Sequence, residues 1–192
     1  MTPWAAYAPK GAASLVASYT DLTGNGNNAG VGVAPAWDAV NGWKFDATNQ
    51  YLTTTFLAQN DQSQSITAQH TNYPALANQY LCGAYSNTHA IGLYLRTDRI
   101  RYLNGLTRDI LPALPAGNVC VAGNQGYRNG VAEGAAIVAN ANPSTQVLYI
   151  GALNNLGAAA QFIAAYIQAL VIYDVTLTAP QVALITAAMA AL

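Results

Sequence analysis

Two stretches decide how this chain is read: Asp21-Leu22-Thr23-Gly24-Asn25-Gly26-Asn27-Asn28-Ala29-Gly30 near the start, and Val147-Leu148-Tyr149-Ile150-Gly151 leading on to Ile167-Gln168-Ala169-Leu170-Val171-Ile172-Tyr173-Asp174 near the end. The first predicts a tight loop, because glycine accepts positive φ and asparagine tolerates it better than other residues. The second predicts two strands in succession. Between them stand Trp43-Lys44-Phe45-Asp46 with Tyr51-Leu52, and Tyr127-Arg128-Asn129-Gly130-Val131, where Asn-Gly marks a hairpin turn.

This order of pieces resembles the laminin-G-like domains of the concanavalin A-like jelly-roll superfamily, over a span from about Ser18 to Leu192. The resemblance implies an all-β fold, an antiparallel jelly-roll β-sandwich of concanavalin A-like or laminin-G-like type with a short C-terminal helix. It implies an N-terminal arm and first strand over 1–17, then one domain over 18–192. The chain departs from the family pattern where Ala165 replaces a glycine, Gln168 an acidic residue and Gln181 a glutamate.

Composition agrees. The chain has 192 residues, 53% hydrophobic and 8% charged, with a net charge of -1. That length suits one sandwich domain. Turn signals recur at Asn41-Gly42, Asn60-Asp61, Gly83 to Asn87, Asn104-Gly105, Pro112 to Gly117, Asn124 to Gly126, Asn129-Gly130, Asn140 to Pro143 and Asn154-Asn155, leaving runs of strand length. The runs 91–96 and 100–105 read as a hairpin turning at Thr97-Asp98. At the C-terminus Thr178 reads as an N-cap, Pro180 lies in the first turn, and Val182, Ile185 and Met189 follow helical spacing.

The charge count excludes whole classes of function. Seven basic residues are too few to build the cationic surface that nucleic-acid binding needs. No apolar stretch reaches the ~20 residues of a membrane span. Glycosidases need two carboxylates about the scissile bond, which this superfamily sets as Glu-x-Asp-x-x-Glu on one strand. The chain has a single glutamate, Glu133, read as a solvated turn residue, and its aspartates are scattered. His70 and His89 lack a nucleophile nearby and read as surface or loop residues. The expectation is a protein without enzymatic activity. Cys82 and Cys120 read as small buried hydrophobes, bridged only if their strands are neighbours.

Two kinds of site remain. Asp21 opens a loop dense in amide and carbonyl oxygens, which fits either a Ca²⁺ site formed by Asp21, Asn25 and Asn27 with Asp174 close in space, or an Asx-turn that needs no cofactor. Twelve Tyr and three Trp against three Phe favour rings with a polar handle, which stack on sugars and anchor protein contacts. Trp37, Trp43, Tyr85, Tyr94 and Tyr102 are the candidate carbohydrate-binding rings. The functional expectation is a virion or surface structural protein, a capsid decoration or fibre component with glycan recognition. The alternative is a dedicated carbohydrate-binding module, with a degenerate glycan-active enzyme third. The first ten residues carry no secretory pattern, and a particle released by lysis needs none, so the expected place is a virion or an extracellular surface. The expected partners are like subunits or a capsid or tail shell. The arm, with Pro3, Trp4, Tyr7 and Pro9, is expected to pack against a neighbouring subunit.

Overall fold

Along Tyr51–Leu57 burial alternates residue by residue: Leu52, Thr54 and Phe56 are buried, while Tyr51, Thr53, Thr55 and Leu57 reach outward. A period of two with one dry face is the signature of a strand lying on a core. A computed structural model of the chain describes residues 1–58, 62–74, 78–86, 89–138 and 144–192. The turn signals at Asn60-Asp61 and Asn140 to Pro143, and Asn87, lie outside the described residues.

Sixteen strands and two short helices are described. The first half runs β1 Ala5–Tyr7, α1 Leu15–Ser18, β2 Gly30–Val33, β3 Ala36–Asp38, β4 Gly42–Asp46, β5 Tyr51–Leu57, β6 Ser65–Thr71, β7 Gln79–Ser86 and β8 His89–Leu95. The second half runs β9 Ile100–Ile110, β10 Gly117–Ala122, β11 Gln125–Arg128, β12 Val131–Glu133, β13 Val147–Ile150, β14 Leu153–Asn155, β15 Ala158–Ala160, β16 Ala164–Tyr173 and α2 Ala179–Ala190. Sheet I follows the order β12-β11-β10-β6-β16-β4-β3, with β1 also on β16. Sheet II follows β15-β14-β7-β13-β5-β2, with β8 on β7 and β9 on β8. Pairing is antiparallel except between β14 and β7. The architecture is the expected antiparallel sandwich with a C-terminal helix.

The two inner faces meet in one core that includes Trp43, Tyr7, Tyr102, Leu52, Ile66 and Ile150. A second layer forms on the outside of sheet I, where Cys120, Tyr127 and Tyr173 meet Leu177 and Val182 beneath α2. Strand β10 is therefore dry on both sides, with Val119 and Val121 in the main core and Cys120 and Ala122 in the outer layer. The helix begins at Thr178 as expected, and Gln181 Oε1 accepts the Thr178 backbone N–H at 2.8 Å. A neutral amide thus completes the capping box. Cys82 lies in sheet II and Cys120 in sheet I, both free and buried. Burial pushes both thiols up to about 12, so they stay protonated and inert.

Four sequence expectations change here. The arm folds back over its own sandwich: β1 pairs with β16, Trp4 N–H donates to the Ile172 carbonyl, and the Trp4 ring stands edge-on to Phe56 with centroids 5.2 Å apart. Burying these rings locally costs less order than recruiting a second chain. His70 and His89 are not loop residues; both are buried in strands, His70 on the inward side of β6 with Ile66 and Ala68. Glu133 is half-buried, paired with Arg128 at 3.1 Å and accepting the Tyr102 hydroxyl at 2.6 Å. The signals at Gly83 and at Asn154-Asn155 lie within strands β7 and β14.

The hairpin signals hold. Asn129 and Gly130 both take positive φ, and Arg128 faces Val131 across the turn. Leu95 faces Ile100 across Thr97-Asp98. Strand β9 also bends back on itself near Asn104-Gly105, where Gly105 has φ +102°. Arg101 and Asp109 would stand about 26 Å apart on a straight strand, yet their side chains meet at 2.5 Å.

Candidate functional site

The Asp21 loop is a knot of hydrogen bonds. Asp21 Oδ1 accepts the backbone N–H of Ala6 (3.1 Å) and Thr23 (3.0 Å). Oδ2 accepts the Thr23 hydroxyl (2.7 Å) and the Asn27 N–H (3.2 Å). Asn25 and Asn27 turn their amide nitrogens to the Pro3 and Trp4 carbonyls (3.0 and 2.6 Å), and the Tyr7 hydroxyl donates to the Asn27 carbonyl. Burial pushes the Asp21 carboxyl up, but the bonds from Thr23, Ala6 and Asn27 outweigh it and hold it below the usual carboxylate range. Both Asp21 oxygens accept protein donors, and the loop staples the arm to the sandwich. Asp174 is exposed after β16. Among the described residues no group of three His, Cys, Asp or Glu is placed to hold a metal ion.

The candidate rings divide by face. Trp43 and Tyr102 are 0% exposed in the core, with Trp43 Nε1 donating to Ser18 Oγ at 2.6 Å and the Tyr102 hydroxyl to the Tyr127 carbonyl and Glu133. Neither ring has a face for a sugar, which corrects the sequence reading. Trp37 sits opposite Trp43, packed on the core and donating to the Pro9 carbonyl at 2.8 Å. Tyr94 points outward but is only 4% exposed, packed at a tilt on Tyr80 with centroids 4.4 Å apart, covered by the Arg101 guanidinium and hydrogen-bonded to Asn78. Tyr85 alone of the five is well exposed, at 36%.

The outer face of sheet II holds rings that the sequence reading passed over. Tyr51 and Tyr149 stand 4.9 Å apart on adjacent strands, and Phe162 lies 6.3 Å from Tyr51; all three are half-buried. Tyr149 is opposite Gly83, over which Tyr80 rests, so the row runs on through Tyr80 and Tyr94 to Arg101. Two glycines make room at its other end: a Cβ on Gly32 would strike the Tyr51 ring, and one on Gly30 the Thr53 hydroxyl. Burial, then the neighbouring Tyr51, holds the Tyr149 phenol above its ordinary range, so it remains a neutral donor. Tyr51 and Tyr149 were legible in principle, since each alternates with inward apolar residues (Leu52; Leu148 and Ile150). Phe162, in the connection between β15 and β16, carries no periodic signal.

Three further aspartates are committed elsewhere. Asp38 accepts from Asn41 and Val40 in a turn, while Asp98 and Asp109 bind Arg99 and Arg101. The Asn41 backbone N–H holds Asp38 below the usual range, as Arg99 does Asp98 and Arg101 does Asp109. A general acid needs the opposite shift.

No family model matches the chain, and no curated protein matches it. Solved structures do match its shape. A botulinum neurotoxin serotype D binding domain superposes with a TM-score of 0.69 at 11% identity, covering 97% of this chain and 51% of that one. The botulinum neurotoxin type G receptor binding domain gives 0.65 at 14%, covering 98% and 51%. Trypanosoma rangeli sialidase in complex with sialic acid gives 0.60 at 18%, covering 93% and 31%. The chain thus spans about half the length of these binding domains and about a third of the sialidase. At such identities the likeness is one of fold, a β-sandwich of jelly-roll type, and none of it singles out the laminin-G family.

Proposed function

We propose that the chain is a non-enzymatic recognition module that takes a glycan on the outer face of sheet II. The carrying observation is the half-exposed row of Tyr51, Tyr149 and Phe162, with Tyr85 on the same face. Rings anchored on a rigid sheet offer flat apolar faces to sugar C–H groups, while their hydroxyls and nearby amides pair with sugar hydroxyls. Two of the similar structures are named as binding domains and one as a sialidase holding sialic acid, which supports the reading by analogy of fold alone. The engagement of Asp21, Asp38, Asp98, Asp109 and Glu133 in hydrogen bonds and ion pairs supports binding over hydrolysis.

A glycan array probed with the intact chain and with Tyr149→Ala tests this. At least one glycan should bind, and removing one stacking ring should weaken it about fivefold, since a ring pair contributes on the order of 1 kcal/mol. EDTA should change nothing, because the Asp21 carboxylate is already filled by protein donors. No bound glycan, or binding indifferent to Tyr149→Ala, would refute the proposal.

The structural reading, a virion or extracellular-surface component docked on like subunits or on a capsid or tail shell, draws support from a different surface. Helix α2 carries no charge, and Leu184 on it is 71% exposed. A neutral apolar helix face is a contact that self-repulsion does not oppose. Sedimentation should show concentration-dependent association that Leu184→Lys abolishes; a monomer at every concentration would remove this role.

A further inference from the structure

A hollow of about 220 Å³ opens on the outer face of sheet I where β16 runs between β4 and the end of β6. Its origin is the strand period. Trp43 and Phe45 go inward, so Lys44 and Asp46 must stand side by side outward. The register sets Tyr166 opposite Lys44 and the small Ala164 opposite Asp46, which leaves the floor empty. After β6, Asn72 takes φ +55° and Pro74 follows, so the chain forms a wall beside them.

The charged groups here are only lightly engaged. Arg99, Arg101 and Arg128 are all in ion pairs. Lys44 closes no salt bridge among the described residues: its charge reaches Asp38 only as the weakest of the influences on that carboxyl, and its Nζ stands 5.9 Å from the Tyr166 ring centroid, the outer limit of a cation–π contact. Asp46 accepts one backbone N–H, from Thr48 at 2.9 Å, through one oxygen. The two opposite charges do not close into a salt bridge, so the hollow presents a strong donor and a strong acceptor about one strand repeat apart.

We propose that this hollow binds a single uncharged pyranose unit bearing neighbouring hydroxyls. One hydroxyl donates to the Asp46 carboxylate, the next accepts from the Lys44 ammonium, the Asn72 amide meets a third, and the C–H face rests against Tyr166. A neutral sugar fits better than an anion, because Asp46 repels the charge that Lys44 attracts. One ring fits better than a chain, because the volume lies below the ~300–1,000 Å³ of sites that enclose drug-sized ligands. The site is separate from the ring row of sheet II, and neither depends on the other.

The isotope-labelled chain should be titrated by NMR with the methyl glycosides of glucose, galactose and mannose. At least one should move the signals of Lys44, Asp46, Asn72 and Tyr166 saturably. Lys44→Gln and Asp46→Asn, both at exposed positions, should each weaken that binding about tenfold without lowering the melting temperature, and Tyr149→Ala should leave it unchanged. Absence of shifts with all three glycosides, shifts that survive both hollow variants, or shifts abolished by Tyr149→Ala would each overturn the assignment.

Discussion

Trp43→Ala is expected to lower the unfolding free energy by about 4 kcal/mol, the range found when a large core aromatic is truncated. Trp43 has no exposed surface, donates to Ser18 and packs between Tyr7 and Tyr19, with ring centroids 6.0 and 6.2 Å away. Its removal opens a cavity where β4, the arm and α1 meet, so the arm should loosen with it. For a domain of this size the melting temperature should fall by roughly 10 °C. Trp43→Phe, which keeps most of the volume but loses the hydrogen bond, should cost about 1–2 kcal/mol. Thermal and urea unfolding decide the matter. A variant of unchanged stability would mean that the ring is not a core residue, and would reopen Trp43 as a sugar platform.

Acid should destabilise the fold well above the usual carboxylate range, through His70. Its ring is buried, and neither nitrogen has a hydrogen-bond partner among the described residues. Burial pulls its pKa down from 6.5 to about 4, so the fold accepts only the neutral imidazole. The unfolded chain takes up the proton first as pH falls. Stability is therefore complete above pH 6.5 and drains away between 6.5 and 4, by about 3 kcal/mol over that interval. Asp21 and Asp109 have carboxyls held below their ordinary value, and their contributions vanish at lower pH, outside this window. Urea unfolding at steps from pH 7 to 4.5 should show the loss, and His70→Leu should flatten it. Parallel profiles for the two proteins would exclude His70 as the cause.

The fold was readable because its signals are local. Asn129-Gly130 specifies its hairpin by backbone conformation alone, Thr178 with Gln181 caps the helix from within four residues, and the β5 alternation encodes which side is dry. The site was read less well. Trp43, Tyr94 and Tyr102 look like Tyr85 in the sequence, for all four are rings on strands. What separates them is the second layer: Tyr94 is outward by period, yet Tyr80 and Arg101, from other strands, cover it. His70 shows the same limit, since only the opposing sheet makes its side of β6 dry.

The sequence by itself determined the sandwich, its hairpins, its terminal helix and the scarcity of charge, because strand period, turn conformation and capping are properties of a few adjacent residues. Tertiary structure alone decided which polar and aromatic groups remain available. Asp21 became a staple because Ala6, Thr23 and Asn27 converge on it, and Lys44 with Asp46 stayed open because β16 places an alanine opposite Asp46. Burial and hydrogen-bond saturation depend on neighbours brought together across long stretches of chain, and linear spacing carries no measure of that distance.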